Sequence, residues 1–265
     1  MLVFFKSGWR DICAALKKYD LAGVLGWQDI RQRYRRSTLG PFWITISMGV
    51  LIVALGTIFG NLFGTPMKEF LPFLTLGLIL WTFISTVLNE ACTGFTVAES
   101  IIKQISLPLF THILRVLWRN MVIFAHNIVI FPLVLLIFWL PLQPIALLFI
   151  PGFVLLMLNL SWMSLILGVF CSRFRDLAQI VGNLLQVFFY LTPIIWMPQL
   201  LPKRFNLLLL DTNPFFHLIE IVRAPLLGTS PSALNWQFGI VLALIGWSIT
   251  IPFYGRFRSR IAYWL

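Results

Sequence analysis

Charge is scarce in this chain. Only 11% of its 265 residues are Asp, Glu, Lys or Arg, and only nine of those are acidic. Soluble domains average about 25% charged residues with about half of the chain apolar, whereas this one is 59% hydrophobic. That excludes a large soluble domain and gives an integral membrane protein. The acidic residues are scattered and form no Asp-x-Asp pair of the kind that holds a metal and a sugar phosphate in membrane glycosyltransferases. There is no Gly-x-x-x-x-Gly-Lys phosphate loop, so ATP hydrolysis by that route is excluded, and no Gly-x-Ser-x-Gly nucleophile elbow. His112, His126 and His217 are not spaced as metal ligands, and Cys13, Cys92 and Cys171 suggest neither a metal site nor a disulfide framework. Only five residues precede Lys6, too few for a signal-peptide core. The first span is therefore expected in the mature chain.

What is present is positive charge at the ends of apolar runs. The net charge is +11. In a soluble protein this would suggest nucleic acid, but flanking charges point to topology and anionic headgroups, and no nucleic-acid partner is expected. The densest cluster is Gln28-Asp-Ile-Arg-Gln-Arg-Tyr-Arg-Arg-Ser-Thr-Leu-Gly-Pro-Phe-Trp43, with four arginines in six residues. Each Arg at the bilayer centre costs roughly 2.5–3.5 kcal/mol on insertion scales. The cluster therefore pins the start of the first span to the cytoplasmic surface. Residues 4–19 read as a short amphipathic segment. Asp20 can cap a second helix to about residue 37, with an apolar stripe of Gly23, Trp27, Ile30 and Tyr34. Such a basic helix fits an in-plane interfacial position, or a cytoplasmic helix packed on protein.

Apolar runs predict spans at 42–63, 70–91, 119–140, 145–170, 177–196 and 237–254. Gly56-x-x-x-Gly60-x-x-x-Gly64 offers a groove for a helix of the same chain or of a second copy. The region 93–119 reads as a connection with one or two short helices. Residues 198–236 hold segments too short to cross, at 207–210 and 215–222. They fit re-entrant helices, which need protein cover at membrane depth, or an ordinary loop. Sixteen Lys/Arg then fall on one side and four on the other, which places both termini in the cytoplasm. His126 and Asn127 are an intramembrane polar pair whose commoner role is helix–helix hydrogen bonding. Ion pairs are expected between Asp29 and Arg33, between Asp176 and Arg173 or Arg175, and between Glu220 and Arg223. The functional alternative has Arg31, Arg35, Arg36 or Arg175 binding a phosphate headgroup through the planar guanidinium. The many Phe residues could serve packing or a sugar-lined path.

Three stretches carry a resemblance. Asp29 to Trp43 resembles the opening of the first span in membrane subunits of bacterial ABC-type polysaccharide exporters. Ser172-Arg-Phe-Arg-Asp-Leu-Ala-Gln179 with Leu191-Thr-Pro-Ile-Ile195 resembles that family's connection after the fourth span. Asn213-Pro-Phe-Phe-His-Leu-Ile-Glu-Ile-Val-Arg223 resembles its segment before the last span. The likeness is closest to O-antigen exporters, with capsule and teichoic-acid exporters next. It implies an all-α, six-span transmembrane domain covering residues 1–265. Its parts would be an interfacial segment at 1–39, spans one to five within 40–197, an extracytoplasmic re-entrant region at 198–235, and the last span with a basic tail at 236–265. It further implies a homodimer in the bacterial inner membrane, working with two separate ATPase subunits that carry the ATP and Mg²⁺; this chain would hold no cofactor and no metal. The substrate would be polysaccharide on undecaprenyl pyrophosphate. Carried onto this sequence, the lateral gate would use Phe42, Trp43 and Phe59 of the first span and Phe188, Phe189 and Tyr190 of the fifth. Coupling to the ATPase would use Asp29, Arg33, Glu99 and Lys103. The re-entrant region would include Asn213, Pro214, Glu220 and Arg223. Two alternatives stay open: a membrane enzyme acting on lipid-linked glycan, with Asp211, Glu220 and Arg223 as its only material, and an exporter of small molecules or lipids.

Overall fold

A computed structural model describes residues 2–35, 40, 42–200 and 210–265. The described residues form eleven α-helices and no strand. Two helices come first, the amphipathic α1 (Leu2–Lys17) and then α2 (Tyr19–Tyr34), with a break at Lys18. The expected Asp20 cap is not made: Lys18 holds the cap position and Asp20 lies in the first turn of α2.

The first span is α3 (Phe42–Phe63). Its boundaries follow from an uncharged run opened after Gly40 and closed at Gly64, whose φ of +61° only glycine adopts readily. Its buried stripe is Met48, Ile52, Gly56 and Gly60, at four-residue spacing. A Cβ on Gly60 would meet Met67 Sδ at 3.0 Å, and one on Gly56 would overlap the Leu71 side chain. The glycine groove therefore receives α4 (Met67–Val97) of the same chain.

Helix α4 is buried along most of its length and carries the core. Phe70, Leu74, Leu80, Ile84, Val87 and Phe95 all lie at its contacts with other helices. After the short α5 (Glu99–Gln104) comes α6 (Phe110–Asn127), followed by α7 (Ile130–Ile137). Together these two make one kinked crossing, Phe110–Ile137. The kink has a cause: Pro132 cannot donate to the Ile128 carbonyl, and Phe131 N–H bonds that carbonyl instead at 3.0 Å. This crossing begins nine residues earlier than the sequence suggests, so Arg115 and Arg119 lie in a helix and not in a connection.

A turn through Trp139 and a 3-10 turn at Pro144–Leu148 lead into α8 (Phe149–Arg173). Next come α9 (Leu177–Leu191), α10 (Pro214–Leu226) and α11 (Ala233–Trp264). Among the described residues, five helical stretches are long and apolar enough to cross a membrane; α9, with 15 residues, is not. The helix expected at 177–196 stops at Leu191 because Pro193 forces Thr192 to extended backbone, ψ 137°. Even so, the end of α8 and the helix α10 lie at opposite ends of the bundle. Arg173 lies over Trp264 at the end of α11, while α10 packs its Ile221 backbone on Gly152 at the start of α8.

The N- and C-terminal helices share one end. Helices α1 and α11 cross at Gly8 and Gly255, where a Cβ on either would collide with backbone. Buried Asp11 locks the crossing. It accepts from the Phe110 N–H (3.1 Å) and the Leu109 N–H (3.3 Å) at the start of α6, from the Tyr254 hydroxyl, and from Arg258 Nε (3.0 Å).

Candidate functional site

Helix α2 has two faces with different work. Its buried face is Ala22, Gly26 and Ile30. It lies against α6, where a Cβ on Gly26 would come within 2.8 Å of Trp118 Cδ1 and 3.2 Å of the Arg115 carbonyl. The apolar stripe expected at Gly23, Trp27, Ile30 and Tyr34 is thus rotated. Small residues make the contact, and Trp27 is exposed. Of the two expected settings, packing on protein is observed on this face, and the opposite face, with Trp27, is left exposed.

Next to that packed face is a network of five charges. Arg115 grips Asp29 with both arms of its guanidinium; Nε stands 2.7 Å from Oδ2. Arg119 Nη1 donates to Asp29 Oδ2 at 2.7 Å, and its Nη2 to Glu90 Oε2 at 2.5 Å. Arg33 Nη2 reaches Glu90 Oε1 at 3.0 Å, and Asn120 Nδ2 donates to Glu90 Oε2 at 2.6 Å. The expected Asp29–Arg33 pair is therefore replaced. Asp29 takes the two arginines of α6, and Arg33 takes Glu90 of α4. Helix α2 is fastened to two spans at once. Burial pushes the Asp29 carboxyl up, but the Arg115 hydrogen bonds and the charges of Arg115 and Arg119 outweigh it and hold it below the ordinary carboxylate range. Burial works against the Arg33 guanidinium too, yet its bond to Glu90 holds it above its usual value.

The other face of α2 borders an open cleft of about 1020 Å³, lined by Trp27, Gln28, Arg31, Gln32, Tyr34 and Arg35 among others. Arg31 and Arg35 are exposed, and among the described residues neither is in an ion pair. They are the first two of the expected headgroup arginines. Arg36 lies outside the described residues. Arg175 sits in the α8–α9 connection and does not line the cleft.

Other expected residues fall elsewhere. Phe42 and Trp43 are exposed at the start of α3, with the His126 ring edge-on to Phe42 at 6.4 Å. Phe59 stacks on Phe63. Phe188 and Phe189 turn inward onto Phe215 (5.0 Å) and Trp81 (6.1 Å), and Tyr190 is exposed. Within one chain α3 packs on α4 and α6, and α9 on α4 and α8, so the two proposed gate helices are not packed on each other. His126 bonds its own helix at the Val122 carbonyl, 2.8 Å away, rather than a second helix. Glu99 and Lys103 pair along α5 at 2.7 Å, and that bond lowers the Glu99 pKa. The pair expected for Asp176 is not formed among the described residues; Arg173 stacks instead on Phe174 and Trp264.

The Asn-Pro segment has a plain physical role. Asn213 Oδ1 accepts from the N–H groups of Phe215 (3.0 Å) and Phe216 (3.3 Å), and Pro214 opens α10. Asn213 Nδ2 also donates to Thr192 Oγ1 at 2.9 Å. Fully buried Arg223 bonds Glu220 at 2.7 Å, as expected, and the Pro193 carbonyl at 2.7 Å, and lies over the Phe73 ring. These residues tie α10 to the end of α9 and to α4.

Sequence reasoning missed Glu90, Arg115, Arg119 and Asp11. A signal was available. Two arginines four apart on an apolar helix need acidic partners, and Glu90 and Asp29 stand at the ends of neighbouring elements.

The profile of the ABC-2 type transporter family matches residues 21–227. An O-antigen export system permease protein RfbA of Klebsiella pneumoniae is 23% identical over 255 residues, covering 92% of this chain and 94% of that protein. Another RfbA permease from the same organism is 23% identical over 264 residues, with 92% and 94% coverage. The RfbA permease of Myxococcus xanthus is 24% identical over 204 residues, covering 74% of this chain and 76% of its own length. With five membrane-length helical stretches and a family match across most of its length, the chain is a multi-pass membrane protein and belongs to the ABC-2 type transporter family.

Proposed function

We propose that this chain is the permease subunit of an ATP-driven exporter that moves polysaccharide linked to undecaprenyl pyrophosphate, of the O-antigen class, out of the cytoplasm. It works as a homodimer in the bacterial inner membrane with two ATPase subunits, and both of its termini are cytoplasmic. The carrying observation is the double role of α2. One side presents Arg31 and Arg35 to an open cleft, and the other is tied through Asp29 and Arg33 to α4 and α6. A pyrophosphate is planar-fork chemistry for arginine. Its capture on α2 is felt by two spans through charge-assisted bonds.

Six crossings follow if α9 and residues 192–197 together make the fifth. The buried α10 then lies as a re-entrant helix under cover of α4 and α8. The gate forms between copies, with α3 of one facing α9 of the other, since both helices leave most of their surface uncovered in one chain. The exposed α5, with Glu99 and Lys103, and the end of α2 are the coupling surfaces. ATP closing the partner dimer must bias a two-state element, and the α2 tether is that element.

Replacing Arg31, Arg35 and Arg36 together with Gln tests this reading. Surface polysaccharide is expected to fall about tenfold or more, the scale of losing one to two charge-assisted contacts, while the amount of inserted protein is unchanged. Equal loss of insertion and export leaves the cluster as a topology anchor only.

A further inference from the structure

The C-terminal ends of α8 and α11 form a second site, away from the α2 cleft. An apolar crevice of about 80 Å³ lies between Val169, Phe170, Phe174, Phe253, Phe257 and Trp264, with Arg173 on its rim. Its walls are rings in contact: Phe170 with Phe253 at 4.8 Å, Phe253 with Phe257 at 4.9 Å, and Phe257 with Trp264 at 5.8 Å. Three guanidinium groups surround these rings. Arg173 lies 5.2 Å from the Phe174 ring centre and 5.5 Å from that of Trp264, while Arg256 and Arg260 lie 5.6 and 5.9 Å from that of Phe257. Among the described residues no acidic side chain lines the crevice, and none of the three arginines is in an ion pair. By contrast, Arg258 points the other way and is taken up by Asp11.

Depth fits the chemistry. Helix α11 has 32 residues, about 48 Å at 1.5 Å per residue, against a hydrocarbon core of about 30 Å. Its last turns therefore stand at headgroup level. Phe253 and Phe257 lie at the edge of the hydrocarbon, with Arg260 and Trp264 beyond on the same helical face.

We propose that this crevice binds a bilayer phospholipid with an anionic headgroup, an acyl chain against Phe170, Phe253 and Phe257 and the phosphate among Arg173, Arg256 and Arg260. The apolar room takes part of a chain and the uncompensated charge takes the headgroup. The site needs only that α8 and α11 cross the membrane, and so does not depend on the exporter reading.

Native mass spectrometry of the full chain, delipidated in detergent, tests the proposal. It is titrated with phosphatidylglycerol and, separately, with phosphatidylcholine of the same acyl chains. Phosphatidylglycerol is expected to be retained at about tenfold lower concentration, since each cation near anionic lipid contributes appreciably. The triple variant Arg173→Gln, Arg256→Gln, Arg260→Gln is expected to abolish that preference. Phe174→Ala, at an exposed position, is expected to weaken retention of both lipids. Millimolar inorganic phosphate is expected to leave the lipid bound. Equal retention of the two lipids by the native chain overturns the proposal. So does a preference that survives in the folded triple variant, which would assign the lipid to Lys6, Arg10 and Lys17 of α1. Displacement by inorganic phosphate overturns the acyl-chain part.

Discussion

The carboxylate of Asp29 does not pair along its own helix. Its i+4 neighbour is Arg33, yet its carboxylate goes to Arg115 and Arg119, which present a fork across a helix–helix contact. Both arginines and Asp29 are about seven-eighths covered. Removing one partner leaves the others short of compensation. Asp29→Asn is expected to lower stability by about 1.5–3 kcal/mol, the range for a hydrogen bond to a charged group, read as a lower unfolding midpoint in detergent. The pH dependence has a definite sign. The folded carboxyl titrates below its ordinary value, so its stabilisation is fully present above about pH 4. It is lost as the pH falls through the depressed value. Proteolysis within α2 is therefore expected to stay slow down to about pH 4 and to accelerate below it, and the Asn variant is expected to lack that step.

At the scale of elements, small residues decide where helices meet. Gly26 and Gly23 stand in the same helix with opposite surroundings: Trp118 and the Arg115 carbonyl crowd the first, and nothing lies within 4 Å of the second. Gly26→Ala is expected to destabilise by about 1–3 kcal/mol through overpacking, and Gly23→Ala to stabilise by about 0.4–1 kcal/mol through the unfolded chain. Thermal unfolding of the two variants should shift in opposite directions. The same distinction explains which elements were legible in the sequence. Helix α3 was readable to the residue because an uncharged run sits between Gly40-Pro41 and Gly64. Its glycine groove was readable as a packing face, and its partner proved to be α4. The start of α6 was hidden, because Arg115 and Arg119 look like a polar connection until Asp29 and Glu90 are seen to neutralise them. The contact face of α2 was displaced, since Ala22 and Gly26 add little to an apolar count yet allow the closest approach.

For the molecule as a whole, the helical membrane architecture and the family were legible from composition and ordered motifs, and the family match bears the latter out. The tether was not, because it joins residues 29, 90, 115 and 119 from three helices and no local pattern encodes such a meeting. The Asn213-to-Arg223 segment was readable as a motif, but its reason is structural: a cap, a first-turn proline and a buried guanidinium that hold α10 to Thr192 and Pro193. The proposed activity is export of lipid-linked polysaccharide through this chain. Its most direct test is deletion of the chain from cells that make the glycan, with intracellular lipid-linked polysaccharide and surface polysaccharide measured side by side. Lipid-linked polysaccharide is expected to accumulate inside and disappear from the surface, with both reversed when the chain is restored. Surface polysaccharide that continues at its normal level without the chain would contradict it.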